Sequence, residues 1–292
     1  MATLYTHYDR NTRKTWVILV VFFALVVSVG WFASYYYGNP SLLVIAVFIS
    51  VITNVFSYWN SDTLALKISG ARPASRQEFF DLYNVTENLS ITAGLPMPKL
   101  YVIEESVLNA FATGRNPAHA TVAVTTGLLA LLERSELEGV VAHELSHIGN
   151  RDTLVSTVTV ILVGLIALIS DIFLRMSWYR DRDSKAGGIV VIAGIVLVVI
   201  SPVIASLMQL AISRKREFLA DASGALLTRF PEGLASALEK ISGHSGEMQR
   251  ASHATAHLYI SNPFGANAKG FINKLYSTHP PINERIAALL NQ

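Results

Sequence analysis

The chain has 292 residues, 51% of them hydrophobic and 15% charged, a balance too apolar and too poor in charge for an ordinary soluble domain. Its 23 basic and 21 acidic residues nearly cancel, and no basic stripe interleaved with aromatics occurs, so no nucleic-acid partner is expected. Cysteine is absent, which excludes disulfides and thiolate metal sites and leaves His, Asp and Glu as the strong metal ligands.

Residues 1–60 read as an N-terminal region with a transmembrane hairpin. Arg10, Arg13 and Lys14 precede an uncharged run at about 16–37, long enough to cross a bilayer. Trp31 and Tyr35-Tyr36-Tyr37 follow its core as an interfacial aromatic belt, where a signal peptide would have a small-residue cleavage site. Gly38-Asn39-Pro40 predicts a turn, and a second uncharged run covers about 41–59. The turn carries no charge, while Lys67, Arg72 and Arg76 follow the hairpin, so the bias of cytoplasmic flanks toward Lys and Arg places both ends in the cytoplasm.

From 61 to 152 the pattern turns soluble, as the first half of a catalytic domain. Ser75-Arg76-Gln77-Glu78 has capping-box spacing and predicts a helix from there to about Ala93, ended by Gly94. Lys99 to Glu104, Asn109 to Thr113 and Ala120 to Thr125 read as strands of a small antiparallel sheet. Ser135-Glu136-Leu137-Glu138 is a second capping-box pattern, and Gly149-Asn150 a helix stop. Between them lies His143-Glu144-Leu145-Ser146-His147, in an otherwise apolar stretch. On a helix the two histidines, four residues apart, share a face that can hold a metal, and Glu144 can reach a water there. Polar groups in so apolar a helix need partners, and a metal supplies one.

Residues 153–213 predict a second membrane hairpin, with spans at about 153–173 and 187–212. Arg175, Arg180, Arg182 and Lys185 in its loop go against the charge bias, which Arg214-Lys215-Arg216 restores. Buried core helices, or a hairpin entering one leaflet, are the competing readings of this stretch. Residues 214–292 are the second half of the catalytic domain, because a catalytic metal site needs a third protein ligand. Glu217 and Asp221 share one helix face, so one can be that ligand and the other can accept the far ring N–H of a ligand histidine; a solvated acidic face is the alternative. His253 and His257 repeat the four-residue spacing, but without a nearby carboxylate and in a stretch rich in Gly, Ser and Asn. They read as loop beside the cleft, not as a second metal site.

Taken together, Asn109-Ala110-Phe111-Ala112-Thr113-Gly114, His143-Glu144-Leu145-Ser146-His147, Glu217-Phe218-Leu219-Ala220-Asp221 and Ser277-Thr278-His279-Pro280-Pro281-Ile282-Asn283-Glu284-Arg285 resemble the HtpX family of membrane-bound zinc metalloproteases, relatives of the prenyl-protein endopeptidases, over essentially the whole chain. The resemblance implies one zinc ion per subunit on His143, His147 and Glu217, with Glu144 as base and Asp221 behind a ligand. His279 is then the candidate for stabilising the oxyanion, Arg285 an orienter or substrate contact, and the strand with Asn109, Ala110 and Phe111 an edge on which extended substrate pairs. The fold expected is a mainly α membrane protein, with four transmembrane helices and a cytoplasmic zincin-like α+β metalloprotease domain containing a small sheet. The resemblance further implies a multi-pass protein of the bacterial inner or plasma membrane, embedded in the lipid bilayer, with N-terminus, active site and C-terminus cytoplasmic. Its substrates would be misfolded or membrane proteins, in quality control. An intramembrane-cleaving protease and an inert membrane scaffold are the alternatives.

Overall fold

The computed structural model describes residues 4–159, 162, 214–244, 246–250, 252, 255–265 and 280–291. Helices α1 (Leu4–Tyr37) and α2 (Ser41–Ile68) form the expected N-terminal hairpin, joined at Gly38, whose φ of 62° suits a residue without Cβ. Within them Asn11–Phe32 and Ser41–Asn60 are long and apolar enough to cross a membrane. Both helices outrun those stretches, because α1 begins before the apolar run and α2 continues to the catalytic region. The two pack closely where Gly30 faces Ala46, and a Cβ on Gly30 would lie 2.1 Å from that of Ala46. Trp16, Val20, Val44 and Phe48 stay exposed, as lipid-facing residues do.

Four strands follow: β1 (Arg72–Pro73), β2 (Lys99–Ile103), β3 (Ala110–Gly114) and β4 (Ala120–Thr125), in the order β1-β2-β4-β3. The sheet is mixed, not antiparallel as expected. β3 and β4 form an antiparallel hairpin, and β4 then inserts beside β2 in the parallel sense, with Lys99 opposite Thr121 and Ile103 opposite Thr125. Every residue of β3 and β4 is buried, so neither strand shows the alternation that would betray its pairing. β3 is left at the edge of the sheet.

Helix α3 (Phe80–Ala93) begins five residues after Ser75. The Ser75 hydroxyl does accept from the Glu78 N–H (3.2 Å), but the Glu78 carboxylate is drawn to Arg72, with contacts of 2.6 and 3.1 Å, and closes no capping box. Gly94 ends α3 as expected, in the left-handed conformation (φ 65°). A short helix α4 (Thr126–Leu131) leads to α5 (Arg134–Gly149). The box at the start of α5 is shifted two residues from the expected one. The Glu136 carboxylate accepts from the Glu133 N–H (2.8 Å), and its oxygens also meet Ser236 Oγ (2.6 Å) and Lys240 Nζ (2.7 Å). Glu138 is left to pair on the surface with Arg134.

Helices α6 (Arg214–Thr228), α7 (Pro231–Gly243) and α8 (Ile282–Leu290) complete the catalytic region. Its core joins Leu82 and Val85 of α3, Val102, Val122 and Val124 of the sheet, Val140, Val141 and Leu145 of α5, and Leu234 and Leu238 of α7. Two glycines let helices approach α5. A Cβ on Gly224 of α6 would lie 3.0 Å from the His143 nitrogen, and one on Gly139 of α5 would lie 2.6 Å from the Leu234 nitrogen.

After α5 the chain turns at Arg151 (φ 56°) and resumes as helix over 152–159. There Leu154, Val155, Val158 and Leu162 pack against Ile18, Leu19 and Phe22 of α1. The rest of the expected second hairpin, 160–161 and 163–213, lies outside the described residues. Gly139→Ala should cost about 1–3 kcal/mol, because the clash is with backbone and α5 and α7 must separate. Thermal unfolding of the purified variant checks this, and an unchanged midpoint would contradict the packing.

Candidate active site

Helical periodicity brings His143 and His147 to one face of α5, with ring centroids 4.7 Å apart and their Nε2 atoms at 3.1 Å. The close approach of α6 at Gly224 carries Glu217 to the same point. Its Oε2 lies 3.9 Å from His143 Nε2 and its Oε1 3.7 Å from His147 Nε2. A tetrahedral ion with bonds near 2.0–2.1 Å separates its ligand atoms by about 3.3 Å, so the three observed separations bracket what such a metal needs.

The far side of each ring is committed. His143 Nδ1 lies 2.9 Å from Asp221 Oδ1, and His147 Nδ1 lies 3.1 Å from Asp152 Oδ2. With the Nδ1 of each ring turned to a carboxylate, each Nε2 faces the shared space, as metal ligation requires. Asp221 is held in turn by Arg285, Nε to Oδ2 at 2.8 Å and Nη2 to Oδ1 at 2.6 Å. Arg285 has no exposed surface; its Nη1 also donates to the Ile260 carbonyl (3.2 Å). It stands behind the His143 ligand and not in the cleft.

The electrostatics follow from burial. Burial, helped by His147 and opposed by Asp221, holds the His143 imidazole down at about 4, so the ring is neutral, as a ligand must be. Burial would raise Asp221, but Arg285 and His143 hold its carboxyl at about 2. Glu144, 2% exposed, is pushed up to about 7 by burial, against the influence of His147, and lies beside the backbone of Ala112. A carboxylate poised near neutrality suits a general base.

These groups open on a cleft lined also by Ala112, Ser156, His257 and Tyr259. His257 was expected beside the cleft, and its Nε2 meets the Ser156 carbonyl at 3.3 Å; His253 and His279 lie outside the described residues. At the sheet edge expected to take substrate, the chain's own 259–261 segment is in place. Ile260 N–H donates to the Ala110 carbonyl (2.9 Å), the Asn109 side-chain amide donates to the Ser261 carbonyl (3.1 Å), and Phe111 bridges Tyr259 with rings 5.0 Å apart. The Phe111 side chain is fully buried. Ala112 is the β3 residue that faces the cleft.

Residues 76–292 match the model of peptidase family M48. The chain belongs to peptidase family M48. Among its M48 relatives, it is 46% identical to a protein named protease HtpX homolog from Caldanaerobacter subterraneus subsp. tengcongensis, over 98% of this chain and 97% of that one. To the protease HtpX homolog of Streptococcus gordonii it is 42% identical, over 98% and 99% of the two chains. Its fold resembles the crystal structure of S. mikatae Ste24p with a TM-score of 0.52 at 19% identity, covering 93% of this chain and spanning 62% of that one.

The chain is an M48 metalloendopeptidase, and in its cleft His143, His147 and Glu217 form a group that could hold a metal ion, with Glu144 lining the same space. Two partners were not anticipated from sequence: Asp152 behind His147, and the 259–261 segment along β3. The signal for Asp152 was an acidic residue one turn past the motif, just before an apolar run. Arg285→Ala should destabilise the protein by about 3–5 kcal/mol, because it strands the buried Asp221 charge. Arg285→Lys, which cannot span both oxygens, should recover only part. Urea unfolding of the three proteins measures this, and parent-like stability of Arg285→Ala would contradict it.

Proposed function

We propose that the chain is a zinc endopeptidase of the bacterial cytoplasmic membrane that cleaves misfolded or membrane polypeptides at the cytoplasmic face, in membrane-protein quality control. The observation that carries this reading is the convergence of His143, His147 and Glu217, each ring backed by a carboxylate, with Glu144 in the same cleft. The all-nitrogen and oxygen donor set and its near-tetrahedral spacing favour zinc.

When bound there, zinc lowers the pKa of a coordinated water toward neutrality and polarises the scissile carbonyl. Glu144 accepts a proton from the attacking water and returns it to the leaving amide nitrogen. His279 is the residue assigned to donate to the oxyanion. Asp221 and Arg285 keep His143 in the ligating tautomer. An extended substrate pairs along β3 by backbone hydrogen bonds that make little demand on sequence, as suits unfolded clients. Ala112 is the point of that edge that lines the cleft, its backbone against Glu144; pairing at Asn109, Ala110 and Phe111 requires the 259–261 segment to move aside.

The membrane arrangement proposed has four spans, with catalytic halves 61–152 and 214–292 on the cytoplasmic side of hairpins 1–60 and 153–213. Support comes from the two apolar helices and from the packing of Leu154, Val155, Val158 and Leu162 on α1.

Glu144→Gln should lower casein cleavage by detergent-purified protein roughly 10²–10⁴-fold without changing its zinc content, whereas His147→Ala should lose the zinc. Equal cleavage by parent and Glu144→Gln would sink the reading. For topology, Ser184→Cys in intact cells should be labelled from outside by an impermeant thiol reagent. Labelling only after lysis would refute the four-span arrangement.

A further inference from the structure

The two ligand histidines are supported differently. Behind His143, Asp221 is held by Arg285 from α8, within the catalytic region. Behind His147, Asp152 divides its oxygens: Oδ2 faces the ring at 3.1 Å, and Oδ1 receives Arg216 Nη1 at 3.1 Å and Asn11 Nδ2 at 2.8 Å. Asn11 belongs to α1, at the start of the apolar stretch Asn11–Phe32, 139 and 141 residues away in sequence from its two partners. Its amide also donates to the Asn150 carbonyl at the end of α5 (2.8 Å), and it is 3% exposed.

A primary amide at the end of a membrane helix that served only as an anchor would face water or headgroups. This one is buried and spends its N–H groups on the carboxylate behind a metal ligand and on the carbonyl that closes the ligand helix. Its position along the helix axis is set by apolar packing, Ile18, Leu19 and Phe22 against Leu154, Val155, Val158 and Leu162. The same contact that docks the membrane helix therefore places the amide.

We propose that Asp152 is a positioning residue for the ligand His147, and that Asn11 clamps Asp152, so that the first membrane helix is a structural part of the metal centre. The inference rests on the metal-site reading above. His147 is the ligand at the open, membrane-proximal side of α5, with 15% of its side chain exposed against 1% for His143, so its ring depends most on what holds its far nitrogen. Loss of the clamp frees Asp152 to rotate toward Arg216, and the His147 ring then loses the partner that selects its tautomer.

The test is zinc affinity of the full-length protein in detergent, measured by competition with a chromogenic chelator and so independent of catalysis. Asp152→Ala should weaken binding about 10–100-fold, the usual cost of removing the partner of a ligand histidine, and Asp152→Asn, which keeps an acceptor oxygen, should recover part of it. Asn11→Leu preserves an apolar membrane helix, so the protein still inserts, and should weaken binding about tenfold and lower kcat with KM unchanged. Ser28→Ala, which removes a hydroxyl bond to the Ala24 carbonyl farther along α1, should leave zinc binding at the parent value. Parent-like affinity in Asn11→Leu, or an equal loss in Ser28→Ala, would overturn the role of α1. Parent-like affinity in Asp152→Ala would overturn the proposal entirely. A parent protein that binds no zinc would instead defeat the metal-site reading, which keeps the two failures apart.

Discussion

Two imidazole rings buried side by side among carboxylates are tolerable only if every polar atom around them has a partner, and the architecture of the catalytic region follows from that demand. Each ring turns its Nδ1 to an aspartate, so that both Nε2 atoms face the same small volume. Each aspartate must in turn be neutralised: Asp221 by the fully buried Arg285, and Asp152 by Arg216 and Asn11. Half-satisfied, such a network would be worse than an apolar core; satisfied, it fixes one arrangement of the helices that contribute to it. The low pKa of Asp221 and the neutral state of His143 have the same origin.

That network explains why the chain is woven as it is. Helix α5 and the helix α6 that carries Glu217 are separated in sequence by the expected second hairpin, yet meet so closely that a Cβ on Gly224 would lie 3.0 Å from the His143 nitrogen. Asp152 sits at the seam, just after α5 and just before residues that pack on α1, and its partners come from α1, α5 and α6. Membrane-facing and catalytic elements thus share polar contacts as well as connections.

The sheet serves the site differently. By placing β3 at the edge, it sets Ala112 beside Glu144, while the 259–261 segment caps the remainder of that edge. An edge strand left bare beside an open cleft invites pairing with other chains, and the chain's own segment covers part of it.

Much of this was legible in sequence because it is periodic or compositional. The two N-terminal apolar runs declared their helices, the four-residue spacings put His143 with His147 and Glu217 with Asp221 on common faces, and Gly94 and Gly149 marked helix ends, since each depends only on local geometry. The capping signals were misplaced, at Ser75 because Arg72 competes for Glu78 and at Ser135 because Glu136 is claimed by Glu133, Ser236 and Lys240. Strand direction was hidden because β3 and β4 are buried on both faces. By itself, then, the sequence determined which residues share a helix face. Tertiary structure alone decided which carboxylate stands behind which ring, that β2 and β4 run parallel, and that Asn11 reaches Asp152. Those pairings join residues far apart in the chain, and they depend on how closely helices can pack, which no local period encodes.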